Sequence, residues 1–263
     1  MERIERFSDL AGLLSAQLKK GVVTNNFLSR QDYDREIEAG LSVHAFDGGL
    51  LLFRRRTDHF ILNFYLQPGG AFVLPPLELP AVTELVWRPK DADATASATR
   101  RLAAAGFRER FRRRRYARPA APGLGAESAH RPGPERADVL LDFLEDHFDH
   151  LAGCIPTAEA MREILHNREV FCTEDAAGVT GLLHFARGRT STEIRHLAVR
   201  PDCRSQGLAG TLLGAYLQET DGQKSLVWAR QGNAPAERFY EKYQYRPDGW
   251  ESAVLLAGGK DDQ

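Results

Sequence analysis

The segment Ile194-Arg-His-Leu-Ala-Val-Arg-Pro-Asp-Cys-Arg-Ser-Gln-Gly-Leu-Ala-Gly-Thr-Leu-Leu213 constrains the fold more than any other stretch of the chain. It begins as a strand, breaks at Pro201 and resumes as a helix with Leu208, Leu212, Leu213, Tyr216 and Leu217 on one side. A helix that starts this way has four backbone N–H groups without intrahelical partners, and its dipole adds roughly half a positive charge there. A pyrophosphate fits such an end if small residues let it approach, and Gly207, Ala209 and Gly210 supply that room. The segment matches neither the Gly-x-x-x-x-Gly-Lys-Ser/Thr loop of nucleotide triphosphatases nor the Gly-x-Gly-x-x-Gly loop of dinucleotide folds, which removes both classes.

The surroundings of this segment predict a domain. Leu140, Leu141, Leu144, Phe148 and Leu151 recur at helical spacing, and a second helix starts from a cap at Thr157 and runs through Met161 and Leu165. Strands follow at Glu169–Thr173, Gly178–Phe185 and Thr192–Val199. Beyond the central helix come a strand at Ser225–Ala229, a helix at Ala234–Tyr243 and a last strand at Glu251–Leu256, giving the order α-α-β-β-β-α-β-α-β. Residues 117–136 hold four prolines, three glycines and almost no large apolar side chain, the composition of a linker. The expected division is residues 1–118, a linker at 119–135 and a domain at 136–257. Upstream, Leu41–Phe46, Leu50–Arg56 and Phe60–Leu66 form a predicted meander, then Val82–Trp87, an alanine-rich helix near Ala94–Ala105 and a strand from Phe107.

Charge is uneven along the chain. Residues 1–118 carry 20 Lys and Arg against 14 Asp and Glu, whereas 119–263 carry 15 against 22. An acidic main domain argues against a nucleic-acid binder, although Arg108, Arg110, Arg112 to Arg115 and Arg118 form one dense basic run. The absence of a 20-residue apolar stretch and of a basic-then-apolar start predicts a soluble, cytoplasmic protein with no membrane span. Cys154, Cys172 and Cys203 have no CxxC spacing, so no disulfide framework and no metal site is expected.

The loop Arg204-Ser-Gln-Gly207-Leu-Ala209 resembles the Gln/Arg-x-x-Gly-x-Gly/Ala acetyl-CoA loop of the GNAT N-acetyltransferase superfamily. The preceding Leu-Ala-Val-Arg-Pro and the following Leu-Leu extend the likeness. A second stretch, Asn233-Ala-Pro-Ala236-Glu-Arg-Phe239-Tyr240-Glu-Lys-Tyr-Gln-Tyr245, is similar to another family motif, except that Gln244 stands where glycine is common. The resemblance implies an α/β (α+β) fold with a mixed, mainly antiparallel sheet flanked by helices. It also implies a smaller, degenerate GNAT-like copy in the N-terminal half, where no such glycine loop appears.

The same resemblance implies acetyl transfer from acetyl-CoA to a primary amine by direct attack in a ternary complex; a non-catalytic acyl-CoA-binding regulator is the alternative. It assigns backbone contacts with the cofactor to Leu197, Ala198 and Val199, pyrophosphate contacts to Arg204, Ser205, Gln206, Gly207, Leu208, Ala209 and Gly210, and a polar contact to Asn233. Asn233 is equally suited to capping the helix that follows. Tyr240 matches the family tyrosine that protonates the departing thiolate. An alkylammonium has a pKa of roughly 10.4, so the acceptor must lose a proton. Glu193 is the candidate base; by simple alternation it shares a face with Arg195 and Leu197, and His196 faces the other way. Asp138, Asp142, Glu145, Asp146 and Asp149 give the first helix of this domain an acidic face that suits a cationic acceptor.

Overall fold

A computed structural model describes residues 1–121 and 129–258. The chain forms two compact units, one from Met1–Arg114 together with the chain from Gly249 on, the other from Arg115–Asp248. Part of the expected linker, residues 122–128, lies outside the described residues.

Unit 1 contains β1 (Glu2–Arg3), α1 (Phe7–Gln17), β2 (Val23–Thr24), α2 (Arg30–Glu38), β3 (Ser42–Phe46), β4 (Gly49–Arg55), β5 (Phe60–Leu66), β6 (Ala81–Trp87), α3 (Ala92–Ala104) and the start of β7 (Arg108–Arg118). Unit 2 holds the end of β7, α4 (Ala137–His147), α5 (Ala158–His166), β8 (Val170–Asp175), β9 (Gly178–Arg187), β10 (Ser191–Val199), α6 (Leu208–Glu219), β11 (Lys224–Arg230), α7 (Ala234–Lys242) and the first residues of β12 (Arg246–Ala257). The order expected for the second half is the one observed. Helices α1 and α2 were not anticipated. The second is short and charged, and a capping box between Ser29 and Asp32 fixes its start.

The sheet is mixed and mainly antiparallel. In unit 2, β8, β9 and β10 pair antiparallel, and β11 joins β10 in parallel through α6. Unit 1 repeats the scheme: β3, β4 and β5 pair antiparallel, and β6 joins β5 in parallel. The difference lies in the connection, because residues 67–80 between β5 and β6 contain no helix. The closing strands correct the expected boundary at 136–257. From Glu251 to Ala257, β12 pairs with β6, and Ala253, Leu255 and Ala257 enter the unit 1 core. Tyr116, near the end of β7, is in turn buried in the unit 2 core with Tyr216, Tyr240 and Tyr245. The physical reason is apolar burial: the apolar residues of each strand join the core that covers them, whichever half of the sequence that core comes from.

The turn at Gln244 resolves the one departure in the second motif. Gln244 takes a left-handed conformation with φ of 67°. Its N–H donates to the Glu241 carbonyl at 3.1 Å and the Tyr245 N–H donates to the Tyr240 carbonyl at 3.0 Å. This is the helix-ending arrangement that normally uses glycine, and its usual apolar contact is present as the Tyr240 and Tyr245 rings, 5.5 Å apart. A non-glycine residue in that region costs roughly 1–2 kcal/mol, offset by the roughly 0.5–1 kcal/mol of extra chain entropy that glycine loses on folding. Gln244→Gly should therefore stabilise the protein by about 0.5–1 kcal/mol, visible as a raised midpoint in urea unfolding; an unchanged or lowered midpoint would contradict this account of the turn.

Candidate active site

Strands β10 and β11 pair only from Ser191 to Ile194, against Lys224 to Val227, and then separate. A β-bulge lies in β10 between Ile194 and His196, seen as a shift of register against β9. Past it, Leu197, Ala198 and Val199 keep β9 on one side, facing Leu183, Leu182 and Gly181, and have no strand of unit 2 on the other. The closed end of the cleft is held by four buried hydroxyls. Thr192 Oγ1 lies 2.5 Å from Tyr216 Oη, Tyr216 Oη 2.7 Å from Ser225 Oγ, and Ser225 Oγ 2.6 Å from Tyr245 Oη.

At the open end lies a cavity of about 330 Å³, lined by Val199, Cys203, Arg204, Ser205, Gly207, Leu208, Ala209, Gly210, Phe239, Lys242 and Tyr243. Seven of the predicted cofactor residues meet there. Ser205 and Gly207 are both left-handed, with φ of 63° and 86°, the kind of loop from which backbone anion nests are built. Gly207 caps α6 without a side chain, and the first amides to turn back are those of Gly210 and Thr211, which both donate to the Gly207 carbonyl. The N–H groups of Leu208 and Ala209 thus belong to the orphan set of a helix start. No acidic residue occupies the first turn, and Arg204 and Lys242 add positive charge to the rim. The site suits an anion.

Two glycines have different tasks. A Cβ on Gly207 would meet nothing within 4 Å, whereas one on Gly210 would overlap the Tyr243 hydroxyl. Gly207 therefore supplies a backbone shape and an open approach, and Gly210 lets α6 and the end of α7 pack. Gln206 lies outside the lining and donates from Nε2 to the Asp202 carbonyl at 3.3 Å. Asn233 is exposed at the start of α7, where its Oδ1 accepts from the Ala236 N–H at 3.3 Å. The structure brings out its capping role and places it away from the cavity lining.

The bulge changes the assignment of faces. Ile194, Leu197 and Val199 pack into one core cluster with Leu183 and Phe185, while Ala198 packs with Leu182 into another. Alternation resets at Arg195, so Glu193 does not share the face of Leu197; it shares that of His196 and Ala198. This corrects the simple two-residue count, which a single extra residue inverts. Glu193 pairs with Arg195 at 2.7 Å and is 22% exposed. Tyr240 is buried, with its ring 6.4 Å from Tyr116 and 5.5 Å from Tyr245, and it is not among the residues lining the cavity. Burial pushes its pKa up, so it keeps its proton at neutral pH.

Sequence reasoning missed a buried histidine pair beside this strand. His196 Nε2 lies 2.9 Å from the Gly153 carbonyl, which only accepts, so Nε2 carries the proton. In the neutral ring Nδ1 then accepts, and His184 Nδ1 donates to it across 3.0 Å. His184 is on β9, and only the register His196↔His184 connects the two, which a linear sequence does not display. Lys242, Phe239 and Tyr243 were also missed as cavity residues; their place one turn around Tyr240 was the available signal.

Residues 166–247 match the Acetyltransferase (GNAT) domain. This part of the chain is what is similar to the GNAT family. A GCN5-related N-acetyltransferase from Sphaerobacter thermophilus superimposes with a TM-score of 0.57 at 14% identity, covering 95% of this chain and 91% of that one. A GCN5-related N-acetyltransferase from Kribbella flavida gives 0.55 at 15%, covering 88% and 95%. A GNAT acetyltransferase from Colwellia psychrerythraea gives 0.54 at 13%, covering 98% and 99%. At these identities the likeness is one of fold. No curated protein matches the chain. The GNAT domain is an acyl-transfer domain, and the loop-and-helix cavity lies within its matched residues.

Burial lowers the His184 pKa from 6.5 to about 3, with His196 and Arg195 adding to the effect. In the unfolded chain this imidazole takes a proton below about pH 6.5, and in the folded protein it resists until about pH 3. The unfolded state binds more protons in that window, so its contribution to stability is intact above the window and declines as pH falls through it. His184→Gln should flatten the loss of unfolding midpoint over that range relative to the parent protein. Parallel curves for the two proteins would remove His184 from the acid response.

Proposed function

We propose that this chain transfers an acetyl group from acetyl-CoA to a primary amine by direct attack in a ternary complex. The observation that carries the proposal is the junction of two features in unit 2. An anion cavity lies at the start of α6, and it adjoins a length of β10 that has no partner strand in unit 2 on its β11 side. A pyrophosphate in the first and an amide-bearing pantetheine arm along the second match the two halves of CoA. Backbone groups of Leu197 and Val199 would serve the arm, and orphan amides with Arg204 and Lys242 would serve the phosphates.

In this reading Tyr240 returns a proton to the departing thiolate, and Glu193 takes one from the acceptor ammonium, directly or through water. The acidic side of α4 favours a cationic acceptor: Asp142, Glu145 and Asp146 are exposed, and Asp138 is paired with Arg162 at 3.3 Å. Nucleic acid is disfavoured as a partner because much of the arginine run already has carboxylates. Arg112 pairs with Glu109, Arg113 with Glu84, Arg114 with Glu251 and Arg115 with Asp248. Among the described residues no helix is long and apolar enough to cross a membrane.

One observation favours a second reading, a regulator that binds acyl-CoA without turning it over. Tyr240 is packed among aromatic rings and Glu193 is already paired with Arg195. Thiol release from acetyl-CoA against a broad panel of amines separates the two: turnover supports the enzyme, and binding without any turnover supports the regulator.

Unit 1 supports the idea of a degenerate copy because its equivalent cleft is filled by its own chain. β5 and β6 pair only at Phe60 and Ile61, and β2 then pairs with Tyr65 and Leu66. Beside it Asn25 donates from Nδ2 to the Leu62 carbonyl at 3.2 Å and to Thr83 Oγ1 at 2.9 Å, and its Oδ1 accepts from the Phe64 N–H at 2.8 Å. Calorimetry should therefore give one CoA per chain. Gly207→Glu should abolish that binding by placing a carboxylate at the phosphate approach, at a stability cost of roughly 1–2 kcal/mol for its left-handed backbone. Two sites per chain, or unchanged affinity in a folded Gly207→Glu protein, would sink the assignment.

The chemical roles have their own test. Proton-transfer groups contribute about 10²–10⁴ in rate, so Tyr240→Phe and Glu193→Gln should each lower kcat by that order with acetyl-CoA affinity nearly unchanged. Wild-type turnover in Tyr240→Phe would end its role as acid, and the same result in Glu193→Gln would leave the proton to water.

A further inference from the structure

Away from this cleft, three side chains with metal-ligating atoms converge at the edge strand of unit 2. Cys172 Sγ lies 3.1 Å from His130 Nε2, and that nitrogen lies 3.6 Å from Glu174 Oε2. All three ligand atoms fall within 4.8 Å of one another. The backbone builds the convergence: His130 and Cys172 exchange N–H to carbonyl bonds of 3.0 and 2.9 Å in an antiparallel bridge, which sets their side chains next to each other. Glu174 follows two residues along β8. Its Oε1 is taken by Arg136, and its Oε2 is the oxygen nearest His130.

We propose that His130, Cys172 and Glu174 bind one divalent ion of the zinc class. The donor set is one sulfur, one imidazole nitrogen and one carboxylate oxygen, which zinc takes at roughly 2.3, 2.0–2.1 and 2.0–2.2 Å. Tetrahedral ligands at those lengths stand roughly 3.3–3.7 Å apart, so the Cys172–His130 and His130–Glu174 pairs need shifts of up to about half an ångström, while the Cys172–Glu174 pair, within 4.8 Å, closes by turning the Glu174 side chain. Thiolate and carboxylate together neutralise the ion. With three protein ligands, water would complete the coordination. Binding breaks the Cys172 S–H bond, releases that proton to solvent and forms the metal–sulfur bond; no electron changes hands. Burial pushes the free thiol up to about 12, so affinity rises with pH. A bound ion fastens the segment ahead of α4 to β8, whose outer edge, among the described residues, is otherwise met by the His130 bridge.

Cobalt(II) titrated into the full-length protein is the direct test, because a cobalt–thiolate bond has its own charge-transfer absorption. One equivalent should produce that band, zinc should displace it, and the unfolding temperature should rise. Cys172→Ser should lose the band, while Cys154→Ser keeps it. Cys172 is part of the core, so that variant alone could fail by misfolding. His130→Ala removes an exposed ring and should weaken cobalt binding by at least about tenfold, the lower range for loss of a supporting contact at a metal site. No thiolate band at saturating cobalt, a band that persists in Cys172→Ser, or equal affinity in His130→Ala would overturn the proposal.

Discussion

Strands β10 and β11 are parallel neighbours from Ser191 to Ile194 and then separate. Backbone N–H and C=O groups are obligatory hydrogen-bonding groups, so a strand edge without a neighbour must be served by water, a side chain or a ligand. The hydroxyl chain from Thr192 to Tyr245 ties β10, α6, β11 and the turn after α7 together at the root of the parting. That rigid root fixes how the start of α6 sits against the last residues of β10, which is the geometry of the cavity. Arg204 marks the junction, donating from Nε to the Val199 carbonyl at 3.3 Å.

Unit 1 meets a similar parting of strands in another way. Its strands β5 and β6 also separate after two pairs, but no helix starts between them and no amide set points at the gap. The vacant edge of β5 is met by Val23, Thr24 and the buried side chain of Asn25. An unpaired buried amide costs about 1–3 kcal/mol, and here the chain itself supplies the partner. One scheme of strands thus serves two ends, an edge kept open in unit 2 and an edge satisfied from within in unit 1.

Local pattern made the strands, the helices of unit 2 and the α6 loop legible, because hydrophobic period and glycine placement are encoded within a few residues. Ser225–Ala229, for example, sits inside the observed Lys224–Arg230. The face of Glu193 was not legible. Two polar residues, Arg195 and His196, stand in succession there, but the bulge that inverts the alternation exists only through pairing with β9. The ownership of β12 was hidden for the same reason: its apolar residues state that it is buried, not against which core. The partnerships of His130 with Cys172 and of His184 with His196 also lie in register alone, 42 and 12 residues apart along the chain. Tyr240 was legible as a motif residue, but its depth among Tyr116, Phe239 and Tyr245 depends on β7, which sequence reasoning assigned to the other domain.

The division of β12 has a consequence for how the molecule is made. A ribosome delivers the chain from its N-terminus, and at about 5–20 residues per second domains usually fold as they emerge. Here the first unit cannot complete its sheet on emergence, since Ala253, Leu255 and Ala257 of its core follow the whole of the second unit along the chain. Throughout synthesis of the second unit, β6 waits with an exposed edge opposite the place that Glu251 to Ala257 will take. The nascent protein is therefore most open to wrong pairing with other chains before residues 251–257 leave the tunnel, and whatever shields β6 in that interval decides how much of it reaches the native state.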